Sequence, residues 1–357
     1  MPTIAIQDDH VIRALTVLLD PDTGDERRAA FADYFSVDMP DFLGWVDGLR
    51  KRHPKAFPSK VISTFSQEEF RAALKDADAA VIEGFQVGEA ELAVAPKLRI
   101  VHVFGSDTRV VDEAACARRG IVVRPLHRRV NLQVAEHAFA LIMALAKRMA
   151  ETNKLLSIEK LQARGFPARI YNRKHTANSN WARISGVRSL GTSTLGILGL
   201  GSIGRNIAGW ANAFGMTVLY HQRSRLPADM EARFGVRYVS LDELMSGSDF
   251  VSVNVPLNDS TRGLIGKAQL DRVRPGTILV NVARAEVVDH DALVDALASR
   301  RLGGLGMDVH YAEPTPDDEP LLTFDNVILS PHIAIGSRVH GAEDLEELVG
   351  NLAAAMR

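Results

Sequence analysis

The chain has 357 residues, of which 46% are apolar and 24% charged, a composition typical of a packed globular protein with more than one domain. A formal net charge of −2 leaves no basic excess to neutralise phosphates, which argues against a nucleic-acid partner. The single cysteine, Cys116, excludes an intramolecular disulfide and a cysteine-rich metal site, and we predict no metal. With no secretory pattern and no apolar tract long enough to span a bilayer, we expect a cytoplasmic protein that binds a small molecule.

Short apolar runs alternate with helical patterns through the first half, as expected for repeated βα units with parallel strands. Strands are predicted at 3–6, 60–64, 79–84, 98–104 and 120–125, and a helix at 67–74. The stretch between Phe31 and Lys60 contains the basic run RKRHPK and fits no pattern. We interpret it as an insertion, with a surface flap as one reading.

The alternation resumes in the second half after two less regular features. Apolar residues at helical spacing predict a long helix over 134–149, and 158–189 is predicted as a long loop or short helices. Strands follow at 194–200, 216–221, 249–255, 276–282, 303–309 and 326–330. From Gly341 to the C-terminus an amphipathic helix is predicted, with Leu345, Leu348 and Leu352 on its apolar face.

Three glycines, Gly199, Gly201 and Gly204, come directly after a predicted strand and open a predicted helix. In this context the first glycine allows the tight turn, the second lets the backbone approach a pyrophosphate, and the third lets helix and strand pack closely. The pattern predicts a dinucleotide bound at the helix N-terminus. A glycine-rich turn without a ligand has the same spacing, so the motif alone is weak.

The acidic residue that binds the adenosine ribose in this type of site is missing. Gln222 stands at the end of the second strand, and Arg223 and Arg225 follow it. A carboxylate there would repel a 2'-phosphate, whereas glutamine does not and the arginines are donors to it. We therefore predict NADP, with NAD as the alternative. The arginines are also compatible with an ordinary solvated loop.

Three downstream fragments carry candidate chemical groups, and each follows a predicted strand: Arg284, Glu313 and His332. Guanidinium can anchor a carboxylate or polarise a carbonyl through two parallel hydrogen bonds. Histidine can donate a proton at neutral pH, and a carboxylate beside it would orient the ring and favour its protonated form. Taken singly, each is more often a structural residue. Together, in this order, they predict hydride transfer to or from a 2-keto or 2-hydroxy acid.

These motifs together resemble the D-isomer-specific 2-hydroxyacid dehydrogenase family, which includes glyoxylate/hydroxypyruvate reductases. The match runs from about Leu98 to the C-terminus through VDEAACARRGIVV, VAEH, LGTSTLGILGLGSIG, VPLNDSTRGLIG, RPGTILVNVARAEVVD, GMDVHYAEP and SPHIA. The resemblance implies an α/β fold with a Rossmann-type doubly wound cofactor domain (127–335) inserted into a flavodoxin-like substrate domain (1–126 and 336–357). It also implies a homodimer.

The resemblance gives Arg284, Glu313 and His332 the catalytic roles argued above and places Asp308 near the nicotinamide carboxamide. Contacts to the substrate are expected from Gly105, Ser106, Arg129 and Arg284. Contacts to the cofactor are expected from Gly199, Gly201, Ser202, Ile203, Gly204, Gln222, Arg223, Arg225, Pro256, Thr261, Val282, Ala283 and Asp308.

The first ninety or so residues match the family only in general pattern, and Ala285 replaces the glycine that the family has after Arg284. Three further departures concern the expected substrate site and the loop that could cover it. The family's GxG turn reads Gly105, Ser106, Asp107, which brings a carboxylate near the expected substrate acid. The family's PGxN stretch reads His127, Arg128, Arg129, Val130, whose cations would suit a second anionic group or a solvated turn. The loop over 158–180 is longer than the family norm.

Three functions therefore stay open. The first is an NADP-linked reductase of glyoxylate, hydroxypyruvate or a similar small 2-keto acid. The second is a dehydrogenase of a larger or doubly anionic acid, such as a sugar acid or phosphorylated acid, suggested by the cations at 127–129. The third is a dinucleotide-sensing, corepressor-like interaction protein on the same fold.

Overall fold

The computed structural model describes residues 1–356, which form two compact units. The first unit comprises Met1–Asn131 together with the described residues from Ile335 onward, and the second comprises Leu132–Ala334. Within residues 1–356 no helix is both long and apolar enough to cross a bilayer. The same residues contain no group of three or more His, Cys, Asp or Glu side chains placed to hold a metal ion.

The first unit is built on a five-stranded parallel sheet with the strand order β2-β1-β3-β4-β5. Its central strands β3 and β4 are buried along their whole length, as expected for a parallel sheet covered on both faces. In chain order its elements are β1 (Thr3–Gln7), α1 (Ala14–Leu19), α2 (Asp25–Ser36), α3 (Phe42–Arg52), β2 (Lys60–Thr64), α4 (Gln67–Ala73), β3 (Ala79–Ile82), α5 (Glu89–Leu92), β4 (Ile100–Val103), α6 (Glu113–Arg118) and β5 (Val122–Pro125).

This strand order reverses direction between β1 and β3, and open α/β sheets bind ligands at such a switch point, outside the carboxyl ends of the strands. At that point Gln7, the last residue of β1, accepts hydrogen bonds through Oε1 from the N–H groups of Glu83, Gly84 and Phe85 at 2.8–3.0 Å. The side chain of Gln7 therefore fixes the loop after β3 from within the sheet edge.

The stretch from Phe31 to Lys60 is not a surface flap, and that interpretation was wrong. It contains the end of α2 and all of α3, and Phe35, Phe42, Val46 and Leu49 are buried in the main core of this unit. Phe35 and Phe42 stack with ring centroids 4.4 Å apart. The segment contributes to the core because α3 presents an apolar face, which the surrounding charged residues hide in the linear sequence.

The two longest helices are α7 (Arg129–Ala146), which begins in the first unit and continues through the second, and the C-terminal helix of the described chain. That last helix spans Arg338–Ala355 and buries Leu345, Leu348 and Leu352, so its predicted apolar face is confirmed.

The second unit contains a seven-stranded parallel sheet with the order β12-β11-β10-β9-β6-β7-β8. After α7 its elements are α8 (Met149–Thr152), α9 (Ile158–Ala163), β6 (Thr194–Leu198), α10 (Ser202–Ala213), β7 (Thr217–His221), α11 (Ala228–Phe234), β8 (Arg237–Tyr238), α12 (Leu241–Gly247), β9 (Phe250–Val253), α13 (Lys267–Leu270), β10 (Thr277–Asn281), α14 (His290–Ala298), β11 (Leu302–Met307), β12 (Val327–Leu329) and, in the first unit, α15 (Arg338–Ala355). Short 3₁₀ turns lie at Leu190–Thr192, Ala285–Val287 and Pro320–Thr323.

Strand β11 has the sequence LGGLGM, and its glycines make room for α7. A Cβ atom added at Gly306 would lie 3.0 Å from Cβ of Leu141, and one at Gly304 would lie 3.3 Å from Cδ2 of Leu145. Side chains at these two positions would therefore push α7 away from the sheet.

Candidate active site

The glycine turn joins β6 to α10, and each glycine has a distinct environment. Gly199 has φ 92°, a left-handed conformation that favours glycine, and a Cβ there would lie 2.8 Å from the carbonyl oxygen of Asn254. A Cβ at Gly204 would lie 2.3 Å from the carbonyl oxygen of Gly199. At Gly201, the residue before α10, no atom lies within 4 Å of the added Cβ. The turn is thus closely packed on the protein side and open above Gly201.

Gln222 follows β7 and lies against this turn. Its Oε1 accepts the N–H of Leu200 at 3.1 Å, and its Nε2 donates to the carbonyl of Ser224 at 2.7 Å. The amide therefore uses both of its ends within the protein and carries no charge. An anionic group beside this strand end would meet no carboxylate from position 222.

The two arginines after Gln222 differ in their engagement. Arg225 donates two hydrogen bonds to Glu231, each 2.8 Å long, and Tyr220 donates a third to the same carboxylate. Hydrogen bonds from Arg225 and Tyr220 lower the pKa of Glu231 to about 2. Arg223 is exposed and has no ion pair within residues 1–356. Of the two predicted donors, Arg223 is therefore the one with an uncommitted guanidinium.

Two further predicted positions lie in the loop after β9, where Thr261 donates through Oγ1 to the carbonyl of Pro256 at 2.6 Å. After β10, Val282 is buried and Ala283 is half-buried. The turn there is shaped by the buried Asn281, whose Oδ1 accepts the N–H of Ala283 at 3.0 Å and whose Nδ2 donates to the carbonyl of Arg284 at 2.9 Å.

Asn281 thereby presents Arg284 to solvent. The Arg284 side chain is exposed and donates to the carbonyl of Ala283 at 2.7 Å, and within residues 1–356 it forms no ion pair. Its guanidinium therefore keeps donors available for an anion. Sequence reasoning singled out Arg284 but overlooked Asn281, which closes β10 in the same motif.

His332 and Glu313 form a hydrogen-bonded pair. His332 Nδ1 lies 2.8 Å from Oε2 and 3.0 Å from Oε1 of Glu313, and the backbone N–H of His310 also donates to Oε1 at 3.1 Å. Burial raises the pKa of Glu313, but the hydrogen bonds from His332 and His310 outweigh it and leave that pKa below its usual range. The carboxylate is therefore ionised at neutral pH and fixes Nδ1. The second ring nitrogen, Nε2, makes no hydrogen bond within residues 1–356.

His332 has φ 54°, a left-handed conformation unusual for a residue with a side chain. Its backbone N–H donates to the carbonyl of Ser330 at 2.8 Å. The next two N–H groups, of Ile333 and Ala334, donate to the carboxylate of Asp308 at 2.9 and 2.7 Å. Backbone strain of this kind persists only where the surroundings fix it, and it is often found at functional sites.

Asp308 is fully buried and anchors this loop. Besides the two N–H groups it accepts the hydroxyl of Ser330 at 2.6 Å, and His137 lies 2.8 Å from that hydroxyl. The structure thus places the Asp308 side chain under the loop that carries His332, and its contact with a cofactor stays a prediction. His137, from the VAEH motif, and Ser330 were not assigned a role from the sequence.

In the first unit, Gly105 and Ser106 come after β4 and Phe104. Their backbone N–H groups make no hydrogen bond within residues 1–356, so both are available to an anion. The carboxylate of Asp107 accepts three hydrogen bonds from the guanidinium of Arg109, and this contact raises the pKa of Arg109. The negative charge that Asp107 brings to this turn is therefore neutralised by its neighbour two residues away.

The structure commits Arg129 to the C-terminal helix α15. Its guanidinium donates to Asp344 and Glu347, each at 2.9 Å, and lies 3.6 Å from Glu343. Hydrogen bonds to these carboxylates, chiefly Asp344, raise the pKa of Arg129. A contact with substrate would compete with these ion pairs, and that contact stays a prediction.

Within the second unit these groups follow one after another along the carboxyl edge of the sheet. His332 follows β12, Asp308 and Glu313 follow β11, Arg284 follows β10, the glycine turn follows β6 and Gln222 follows β7. The strands after β6 are added first on one side of it (β7, β8) and then on the other (β9 to β12). The boundary between β6 and β9 is therefore the switch point at which such sheets bind dinucleotides. Neighbouring strands are about 4.8 Å apart, so Arg284 and the glycine turn belong to strands roughly 10 Å apart. This arrangement defines a dinucleotide-binding oxidoreductase.

Comparison with known proteins identifies the family. Residues 139–334 match the model of the D-isomer-specific 2-hydroxyacid dehydrogenase NAD-binding domain. The chain is 37% identical over 290 residues to the glyoxylate reductase of Korarchaeum cryptofilum, covering 80% of this chain and 81% of that protein. It is 35% identical over 301 residues to the glyoxylate/hydroxypyruvate reductase B of Pectobacterium carotovorum, covering 82% and 86%.

A solved structure agrees with this result. The D-lactate dehydrogenase of Aquifex aeolicus, complexed with NAD and lactic acid, is 26% identical with a TM-score of 0.53, covering 98% of this chain and 94% of that one. The chain belongs to the D-isomer-specific 2-hydroxyacid dehydrogenase family. The predicted family, the α/β fold and the oxidoreductase activity are confirmed.

Proposed function

We propose that this dehydrogenase reduces a small 2-keto acid of the glyoxylate or hydroxypyruvate type to the D-2-hydroxy acid, with NADPH as the preferred reductant. The observation that carries the proposal is the His332–Glu313 pair, in which Nδ1 is held by a carboxylate while Nε2 stays free. The relatives named above as glyoxylate and hydroxypyruvate reductases support the substrate class.

The residues present fit a dinucleotide. The open space above Gly201 admits a pyrophosphate to the N-terminus of α10, where backbone N–H groups point outward, while Gly204 keeps the helix close to the strand. When bound, the nicotinamide supplies the hydride. We propose that Gly199, Gly201 and Gly204 hold the diphosphate and that Gln222 and Arg223 lie beside the adenosine ribose.

The chain's own residues supply charge and a proton. Arg284 would donate two parallel hydrogen bonds to the carboxylate or the carbonyl of the acid, which fixes the substrate and polarises its C2 oxygen. His332, protonated and oriented by Glu313, would give its Nε2 proton to that oxygen as it becomes an alkoxide. In the first unit, the free N–H groups of Gly105 and Ser106 are the proposed contacts for a carboxylate. In the oxidative direction His332 would take the proton back.

The NADP preference rests on the neutral side chain at position 222 and the free guanidinium next to it. With wild-type protein we expect kcat/KM to be higher for NADPH than for NADH. Gln222→Asp should lower kcat/KM for NADPH by about tenfold or more, because a carboxylate would face the 2'-phosphate. Steady-state kinetics with both cofactors, glyoxylate and hydroxypyruvate measures both effects.

Arg223→Ala should weaken NADPH while leaving NADH nearly unchanged. Arg233→Ala, at an exposed arginine on the nearby helix α11, is the matched control and should change neither cofactor. A wild-type preference for NADH would contradict the NADP proposal. Tight NADPH binding with no turnover of any 2-keto acid would contradict the enzymatic proposal and favour a sensing role.

The two glycines offer a paired test of the turn. Gly201→Ala should fold normally, since its Cβ meets no atom within 4 Å, but should raise the cofactor Kd because the methyl group occupies the approach of the pyrophosphate. Gly204→Ala should destabilise the protein by about 1–3 kcal/mol, because its Cβ would overlap a backbone carbonyl. Thermal melts and cofactor titrations distinguish the two, and equal behaviour of both variants would refute this assignment.

A further inference from the structure

The first unit contains a cavity of about 700 Å³ whose lining residues all belong to that unit. Its walls are one face of α2, the turn after β1, the residue after β4, and the first turns of α15. Phe104 lines the cavity and directly precedes the Gly105–Ser106 turn. The cavity therefore opens at the carboxyl edge of the five-stranded sheet, where such sheets bind ligands. Its volume lies in the range of sites for drug-sized molecules.

Four arginines line this cavity: Arg13, Arg27, Arg128 and Arg338. Three of them have a carboxylate partner that does not itself line the cavity, since Arg13 pairs with Asp8, Arg128 with Glu83 and Arg338 with Asp38. In each of these three the Nε atom is buried and has no hydrogen-bond partner in residues 1–356. A buried donor left unpaired is costly, but these Nε atoms are shielded from a ligand. One terminal nitrogen of each guanidinium faces the carboxylate, and the other has no hydrogen-bond partner in residues 1–356, so each guanidinium still has a donor for an anion.

Two carboxylates line the cavity against four arginines, so the lining side chains carry a net positive charge, which the carboxylates behind three of the arginines reduce. Asp344 accepts the backbone N–H and the guanidinium of Arg129, so its charge is matched outside the cavity. Glu26 lies exposed in the first turn of α2, next to Arg27. The side chains facing the cavity thus favour an anion.

The apolar part of the wall is aromatic and incompletely covered. Helix α2 buries only Phe35 among its twelve residues, while Phe31 and Tyr34 on the same face line the cavity. Tyr34 is 43% exposed, and the guanidinium of Arg338 lies 4.8 Å from its ring centroid. Elsewhere in the lining, Arg128 lies 4.5 Å from the ring of Phe104. Two of the four lining arginines are therefore held against aromatic rings.

We propose that this cavity is a binding site for an organic anion, a carboxylate or phosphate attached to an aromatic or apolar body. The arginines would bind the anionic group, and Phe31, Tyr34 and Phe104 would cover the apolar body. A two-carbon acid such as glyoxylate would leave most of the cavity empty, so the site goes beyond the proposed function. We expect the ligand to be a separate molecule that the enzyme does not reduce.

The test is calorimetric titration of the full chain with phenyl phosphate and with phenylacetate, neither of which has a 2-keto group. At least one of them should bind. Arg338→Met and Tyr34→Ala should each raise its Kd by about tenfold, as expected for a charge-assisted hydrogen bond or an aromatic contact. Arg27→Ala, at an exposed position on α2, should weaken binding in the same direction without affecting the fold. Arg28→Ala is its matched control, because Arg28 is adjacent but does not line the cavity.

Binding of either aromatic anion that glyoxylate does not displace, and that the cavity variants weaken, supports the proposal. It is overturned if neither aromatic anion binds, or if Arg27→Ala, Tyr34→Ala and Arg338→Met all bind like the wild type. Binding is measured without turnover. A failure of the proposed reductase activity can therefore be distinguished from a failure of this proposal.

Discussion

Replacing His332 with glutamine is expected to lower kcat for 2-keto acid reduction by roughly 10²- to 10⁴-fold, the usual contribution of a positioned acid–base group. Glutamine can still form a hydrogen bond with Glu313 but cannot give a proton to the developing alkoxide. The Kd of NADPH should change little, since the glycine turn lies after β6 while His332 lies after β12. Stopped-flow or steady-state kinetics measures kcat, and fluorescence titration measures the Kd.

The chain offers a matched control for this variant in a second histidine–glutamate pair. His290 Nε2 lies 2.9 Å from Glu319 and its Nδ1 lies 3.0 Å from Asp291. Burial lowers the pKa of His290, but its hydrogen bonds to Glu319 and Asp291 outweigh this and raise it overall. Unlike His332, this ring has carboxylates at both nitrogens. His290→Gln should keep kcat within about threefold, and an equal loss in both variants would mean that the His332 effect is structural.

The pair also predicts a pH dependence. Glu313 has a lowered pKa in the folded protein. Its carboxylate is therefore fully ionised above its usual pKa, and it loses its negative charge only as the pH falls through the lowered pKa. Across neutral pH the anion therefore stays beside the ring and holds Nδ1. In the wild type the reduction rate should fall at acid pH, where Glu313 becomes protonated and no longer holds the ring, whereas Glu313→Gln should lack that fall and have a lower rate at neutral pH. A wild-type rate and pH profile in this variant would show that Glu313 does not orient His332.

The sequence predicted a helix or strand wherever a local pattern of apolar and polar residues was enough to determine it. Each strand of four or more residues was predicted to within two residues, because these strands are short apolar or β-branched runs bounded by turn residues and helical patterns. Strand β8 has only two residues, which is too short to show a pattern. Helices α2 and α3 were missed because their apolar residues are interrupted by charges that point to solvent.

The sequence predicted which residues of the site carry its chemistry, but it did not predict which side chains those residues contact. Asp107 appeared to bring an unwanted charge to the turn, and only the structure shows Arg109 folding back on it. Arg129 and Asp344 are 215 positions apart, so no local pattern could pair them. Motif reasoning therefore identifies which groups are chemically able to act. The long-range contacts then determine which of them remain free to do so.

Asp308 provides the sharpest test of this distinction, because sequence and structure assign it different tasks. The resemblance places its carboxylate near the cofactor. In the structure that carboxylate is buried and accepts hydrogen bonds from Ser330, Ile333 and Ala334. Asp308→Ala would leave these donors unpaired, and we expect a loss of roughly 3 kcal/mol. For a unit of this size that corresponds to a fall in Tm of roughly 6–12 °C.

The same substitution should lower kcat, because the left-handed conformation of His332 depends on the two N–H groups that Asp308 holds. Asp325→Ala is the matched control, since Asp325 is exposed and forms only a surface ion pair with Arg164, which is worth at most about 1 kcal/mol. A loop anchor predicts a lower Tm and a lower kcat with a nearly normal Kd for NADPH. A wild-type Tm combined with a raised cofactor Kd would instead assign Asp308 to the cofactor, and the buried carboxylate of this structure would then have to turn outward when the cofactor binds.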